Sequence, residues 1–120
     1  MKGLRTAIYK VSDLNAAKEW YTKVFDIKPY FDQPFYVGFD VEGYELGLVP
    51  DDEPITIKSS NVLVYWGVDD IQKEYDRLLA FGAFSFEKPE NVGGDIMVAI
   101  VKDPWGNVLG IIYNPEFKAK

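Results

Sequence analysis

One pattern is written twice along this chain. The first half opens on TAIYKVSDLNAAKEWYTKVFDIKPYF and the second on LVYWGVDDIQKEYDRLLAFGAFSF. Setting Val11 on Val68 lays Ser12-Asp13-Leu14 on Asp69-Asp70-Ile71. A one-residue deletion in the second copy then lays Phe25-Asp26-Ile27 on Phe81-Gly82-Ala83. Such a duplication constrains the fold more than any single motif, because both copies must build the same supersecondary unit. Two copies are too few for a solenoid, so a pseudo-twofold pair is expected.

Each copy reads as a strand, a helix and then several strands. Residues 6–11 and 62–68 are β-branched and aromatic runs that end at polar residues. Leu14, Ala17, Tyr21 and Val24 recur at helical spacing, as do Ile71, Tyr75, Leu78 and Leu79. Ser12 or Asp13 is the N-cap candidate of the first helix. Asp69 with Gln72 has the spacing of a capping box for the second, and Gly82 suits its stop. Glu42-Gly43 predicts a two-residue hairpin within FYVGFDVEGYELGLVP. Asp-Pro-Trp-Gly-Asn predicts another turn, within DIMVAIVKDPWGNVLGIIYNP. The chain of 120 residues is expected to form one domain, with pseudo-repeats at about 4–49 and 61–115 and a linker at 50–60.

Composition removes whole classes of chemistry. The sequence has no histidine and no cysteine, which excludes histidine triads, thiolate ligands and cysteine nucleophiles. Any metal would have to rest on carboxylates and carbonyls. A net charge of −6 argues against a nucleic-acid partner and favours cationic ligands. No apolar run is long enough to span a bilayer, so no membrane partner is expected. The opening MKGLRTAIYK lacks a secretory apolar stretch, which makes a cytoplasmic location the expectation.

Tandem strand–helix–strand–strand–strand units, entered by VSDL and VDDI and closed by KDPWGNVLGII, resemble the vicinal oxygen chelate superfamily. That superfamily includes glyoxalase I, extradiol dioxygenases and bleomycin-resistance proteins. The resemblance implies an α+β fold in which two βαβββ units form curled mixed sheets around a cup-shaped cleft, commonly as a homodimer. It also implies where metal ligands would stand, on the first and last strands of each unit. Carried across, those positions are Thr6, Glu45, Leu63 and Gly110, the last where metal-dependent relatives carry glutamate after a DPDGN turn. Leucine and glycine offer no donor, and threonine is a weak neutral one. One glutamate does not hold a transition ion, so no metal and no cofactor are expected. Asp95 or Asp103 could reach an ion from a loop, but no donors cluster around either.

The hairpin at Glu42-Gly43 sets Asp40 opposite Glu45, with Gly38 and Gly47 on the same face. Two opposed carboxylates suit an amine or guanidinium. If buried, one of them is expected to have a raised pKa, which would make Glu45 a candidate general acid or base. Tyr36 lies on that face, Tyr65 shares the face of Leu63, and Trp105 sits on the turn beside Gly110. These aromatics are candidate ligand walls. NVGGD, residues 91–95, reads as a plain turn or a lid, since it lacks the helix and lysine of a phosphate cradle. The leading expectation is a metal-free protein that binds a cationic or aromatic small molecule. The alternatives are a lyase, isomerase or dioxygenase with an atypical metal site, and an interaction domain whose cup is filled by side chains.

Overall fold

The structure, a computed structural model, describes residues 1–51, 58 and 61–117. Most of the expected linker, residues 52–57 and 59–60, lies outside the described residues. The chain divides into two compact units, Met1–Ile57 and Lys58–Lys120, and each repeats the same order of elements.

The first unit runs β1 (Thr6–Val11), α1 (Leu14–Phe25), β2 (Phe31–Gln33), β3 (Tyr36–Val41) and β4 (Tyr44–Pro50). Its sheet has the order β1-β4-β3-β2, with β1 parallel to β4 and the other pairs antiparallel. Helix α1 starts where Asp13 leaves the helical region and its carboxylate accepts the Ala16 N–H at 3.0 Å. It stops at Asp26, whose φ of 54° is left-handed. The stripe Ala17, Tyr21 and Val24 is buried, and the sheet answers with Val37, Phe39, Leu46 and Leu48. Each large apolar side chain buried in this way contributes about 1.5–3 kcal/mol. Strand alternation therefore commits one face of the sheet to the helix and leaves Thr6, Ile8, Gly38, Asp40, Glu45 and Gly47 on the other.

The second unit runs β5 (Tyr65–Gly67), α2 (Ile71–Ala80), β6 (Phe84–Gly93), β7 (Ile96–Lys102) and β8 (Val108–Tyr113), in the order β5-β8-β7-β6. Strand β5 is shorter than the run 62–68 suggested. The cap of α2 is Asp70, which accepts the Lys73 N–H at 3.1 Å, so the Asp69–Gln72 capping box is not formed. One reason is visible in the repeat: Asp70 falls on Asp13, the cap of α1. The helix ends as Gly82 suggested, at φ 98°, with Ala83 N–H bonding Leu78 and Gly82 N–H bonding Leu79 in a Schellman closure. Strand β6 is an edge, exposed along nearly all its length, and its pairing with β7 shifts register three times. NVGGD is the end of β6 and its turn into β7, tied by the Asn91 side chain to Gly93 and Gly94. Among the described residues no helix is long and apolar enough to cross a membrane.

Candidate functional site

In the first unit the turn residues Glu42 and Gly43 both have positive φ, 52° and 90°, which is the type I′ geometry that joins twisted strands tightly. The turn fixes the register that the sequence suggested, with Asp40 opposite Glu45 and Gly38 opposite Gly47. Two opposed glycines leave a hollow in the sheet, and two rings fill it. A Cβ at Gly38 would stand 2.9 Å from Cε1 of Tyr30, and one at Gly47 would stand 2.7 Å from Cζ of Tyr36. Side chains at these positions would expel the rings.

Both rings aim their hydroxyls at Glu45. Thr6, opposite Glu45 across β1 and β4, donates its hydroxyl to Oε1 at 2.8 Å, and Tyr30 donates to Oε2. The Tyr36 hydroxyl is the third donor. The Tyr30 hydroxyl, chiefly, holds the Glu45 carboxyl below its ordinary pKa, with Thr6 and Tyr36 adding to the effect and partial burial opposing it. For Glu45 the direction is the opposite of the raised pKa expected of one carboxylate of the pair, and the hydroxyls favour its ionised form. The reciprocal effect falls on the phenols. Burial and the bond to Glu45 push Tyr36 up to about 12, and the same bond raises Tyr30. Asp40 shares the face, but its carboxylate accepts the Gly43 N–H at 2.8 Å and closes the hairpin.

Beyond the carboxylate lies an aromatic surface. Tyr30, Phe31 and Phe35 are 64%, 38% and 65% exposed. Phe31 stands edge-on to both Phe35 and Tyr36 at 6.0 Å and lies 6.5 Å from Tyr30. Tyr30 was not singled out from the sequence, because it precedes β2 and no strand register reaches it. The signal that could have found it is the pair of opposed glycines, which calls for a ring from a neighbouring segment.

The sequence candidates in the second unit do not form a comparable group. Leu63 precedes β5 and is 42% exposed. Tyr65 lies over Gly110, its Cδ1 2.7 Å from where a Cβ would be, with the Val64 carbonyl at 2.8 Å from the same point. Trp105 is half-buried, and its backbone N–H donates to Asp103. Asp103 itself is fully buried and accepts from Trp105 N–H at 2.9 Å, Asn107 N–H at 2.8 Å and the Asn107 amide at 3.0 Å. Its carboxylate braces its own turn.

Register also revises which positions correspond. Tyr65 pairs with Gly110 as Ile8 pairs with Gly47, and the duplication lays Ile8 on Tyr65. The counterpart of Gly110 is therefore Gly47, and that of Glu45 is Val108. These positions are two glycines, a valine, a leucine, one threonine whose hydroxyl donates to Glu45, and Glu45 itself, the one carboxylate among them. Among the described residues no three acidic side chains gather where they could hold an ion.

The model of the Glyoxalase/Bleomycin resistance protein/Dioxygenase superfamily matches residues 4–111, and the chain belongs to that superfamily. YurT of Bacillus subtilis (strain 168), an uncharacterized protein, is 29% identical over 93% of this chain and 98% of its own. A glyoxalase-related enzyme from Fulvimarina pelagi superposes with a TM-score of 0.75 at 19% identity, covering 96% of this chain and 90% of its own. Lactoylglutathione lyase from Agrobacterium tumefaciens superposes with a TM-score of 0.75 at 18% identity, covering 98% of each chain. At these identities the superpositions speak for the fold alone.

Proposed function

We propose that this chain binds a cationic, aromatic small molecule on the open sheet face of its first unit, without a metal. The observation that carries this is Glu45, a carboxylate kept ionised by hydroxyls from Thr6, Tyr30 and Tyr36 and bordered by exposed rings. An ionised carboxylate attracts a cation, and ring faces offer it both cation–π contact and apolar cover. The acidic net charge of −6 adds long-range attraction of the same sign.

A lowered pKa makes Glu45 a poor proton carrier near neutrality, so its role in this proposal is electrostatic and not that of a general base. The rival is a metal-dependent lyase or dioxygenase, which would need donors that the equivalent positions do not supply. Thermal denaturation against a panel of cationic aromatic compounds tests the proposal, since a ligand at a hundred times its Kd stabilises by about 2.7 kcal/mol. Stabilisation by cationic members, lost in Glu45→Gln and absent for anionic analogues, is the expected result. Stabilisation by zinc, nickel or manganese instead, with the ion retained through dialysis, would overturn it.

A further inference from the structure

The two tyrosines that reach Glu45 are held differently. Tyr30 stands just before β2, with its backbone N–H bonded to the Gly38 carbonyl at 2.9 Å. Its ring lies on the bare backbone of Gly38, and its hydroxyl bonds Glu45 Oε2. A Cβ at Gly38 would meet Tyr30 Cε1 at 2.9 Å and Glu45 Oε2 at 2.8 Å, so ring, glycine and carboxylate converge on one point. Yet Tyr30 is 64% exposed, whereas Tyr36, seated on Gly47, is half-buried and lies within β3. The backbone of Tyr30 is pinned, and a change of rotamer would lift its ring away without opening the ladder. A ring resting on a glycine with its hydrogen-bond donor on an anion is also the arrangement that an aryl cation would adopt on this face. Resting on the ligand face proposed above, we infer that Tyr30 is a built-in occupant of the ligand's seat, and that binding displaces its ring from Gly38 and its hydroxyl from Glu45.

The seat is complete without Tyr30. Gly38 is its floor, and Phe31, its partner across β2 and β3, stands edge-on to Tyr36 at 6.0 Å beside it. Glu45 keeps the Thr6 bond at 2.8 Å and the Tyr36 hydroxyl, so the charge that attracts a ligand outlasts the exchange. Only Oε2 changes partner. A neutral phenol leaves it and a cation arrives, which makes the new bond one between opposite charges. An internal competitor weakens apparent affinity by the fraction of time that the seat is free: a seat open for about a tenth of the time weakens binding about tenfold. Tyr30 thus sets a threshold that a ligand must exceed, and is not itself a wall of the bound state.

Isothermal titration of the full chain with benzylamine, and with benzyl alcohol as the neutral control, separates an occupant from a wall, because the two predict opposite signs. Benzylamine is expected to bind Tyr30→Ala at least threefold more tightly than it binds the parent chain. Adding Glu45→Gln to Tyr30→Ala should bring its affinity down to that of benzyl alcohol; circular dichroism verifies that each variant folds. In the parent chain, the nuclear Overhauser contact between the Tyr30 ring and the Gly38 Hα protons should vanish on saturation with benzylamine. Benzylamine binding that depends on Glu45 but is unchanged or weakened in folded Tyr30→Ala, or a ring contact that persists at saturation, overturns the inference and leaves the ligand face standing. Benzylamine bound no more tightly than benzyl alcohol by both the parent chain and Tyr30→Ala overturns the ligand face itself, and the inference with it.

Discussion

The two units share a frame and differ in what stands on it. Both cap their helix with an aspartate, Asp13 and Asp70, and both carry a left-handed residue just past the helix, Asp26 and Gly82. Both set a glycine in the last strand beneath a tyrosine ring. In the first unit Tyr36 reaches Gly47 from β3, and in the second Tyr65 reaches Gly110 from β5. The chemistry diverges on the residues opposite. Asp40 and Glu45 face each other in one hairpin, while Lys102 and Val108 do so in the other. The duplication has kept the parts that shape a sheet and confined the acidic cluster to one copy.

The hairpin turns provide the sharpest way to break that comparison. Asp103 is buried and accepts three bonds, whereas Asp40 is exposed and accepts the Gly43 N–H. Asp103→Ala should cost roughly 2–4 kcal/mol in urea unfolding and Asp40→Ala less than about 1 kcal/mol. Equal losses would show that the two turns hold their hairpins in the same way.

A smaller contrast lies in the glycines. A methyl at Gly110 meets the Val64 carbonyl, which is backbone, as well as the Tyr65 ring; a methyl at Gly47 meets the end of the Tyr36 side chain. Gly110→Ala should therefore destabilise by about 1–3 kcal/mol, and Gly47→Ala by less because Tyr36 can swing away. The cost at Gly47 should appear instead in ligand affinity and in the Tyr36 titration, which should fall from about 12 toward the ordinary phenol range.

The smallest effect is one of pH. The folded pKa of Glu45 is depressed, so the unfolded chain takes up its proton first as pH falls. The contribution of this group is complete above the ordinary glutamate range and is lost as pH drops through the folded pKa. Carboxyl NMR titration should find Glu45 below ordinary glutamates, and Tyr30→Phe should move it upward, because the Tyr30 hydroxyl is the largest cause of the depression. An unmoved Glu45 would assign the anion's stability to Thr6 and Tyr36 instead.

Where geometry follows from local chemistry, the sequence was legible. A positive-φ turn at Glu42-Gly43 predicts the whole β3–β4 ladder, and with it the placement of Asp40, Glu45, Gly38 and Gly47 on one face. Helical spacing found the buried stripes of α1 and α2, though Leu14 and Leu79 are only half-buried at their edges. Two steps failed for a physical reason. The pKa direction of Glu45 depends on hydroxyls delivered from three separate segments, and pairing of like charges alone points the other way. Matching Gly110 to Glu45 followed a turn motif, whereas the correspondence is set by strand pairing, which the turn lengths do not reveal. One hairpin closes over two residues and the other over five, from Asp103 to Asn107.

Strand β6 has a consequence of its own. A ten-residue strand with nine exposed residues at the border of a sheet would ordinarily invite stacking of further chains. Here Pro89 interrupts the row of amide donors, and the shifts after Ser85, Glu87 and Asn91 leave no more than two consecutive residues in regular step with β7. The border is long, yet its broken register makes it a poor template for a further strand.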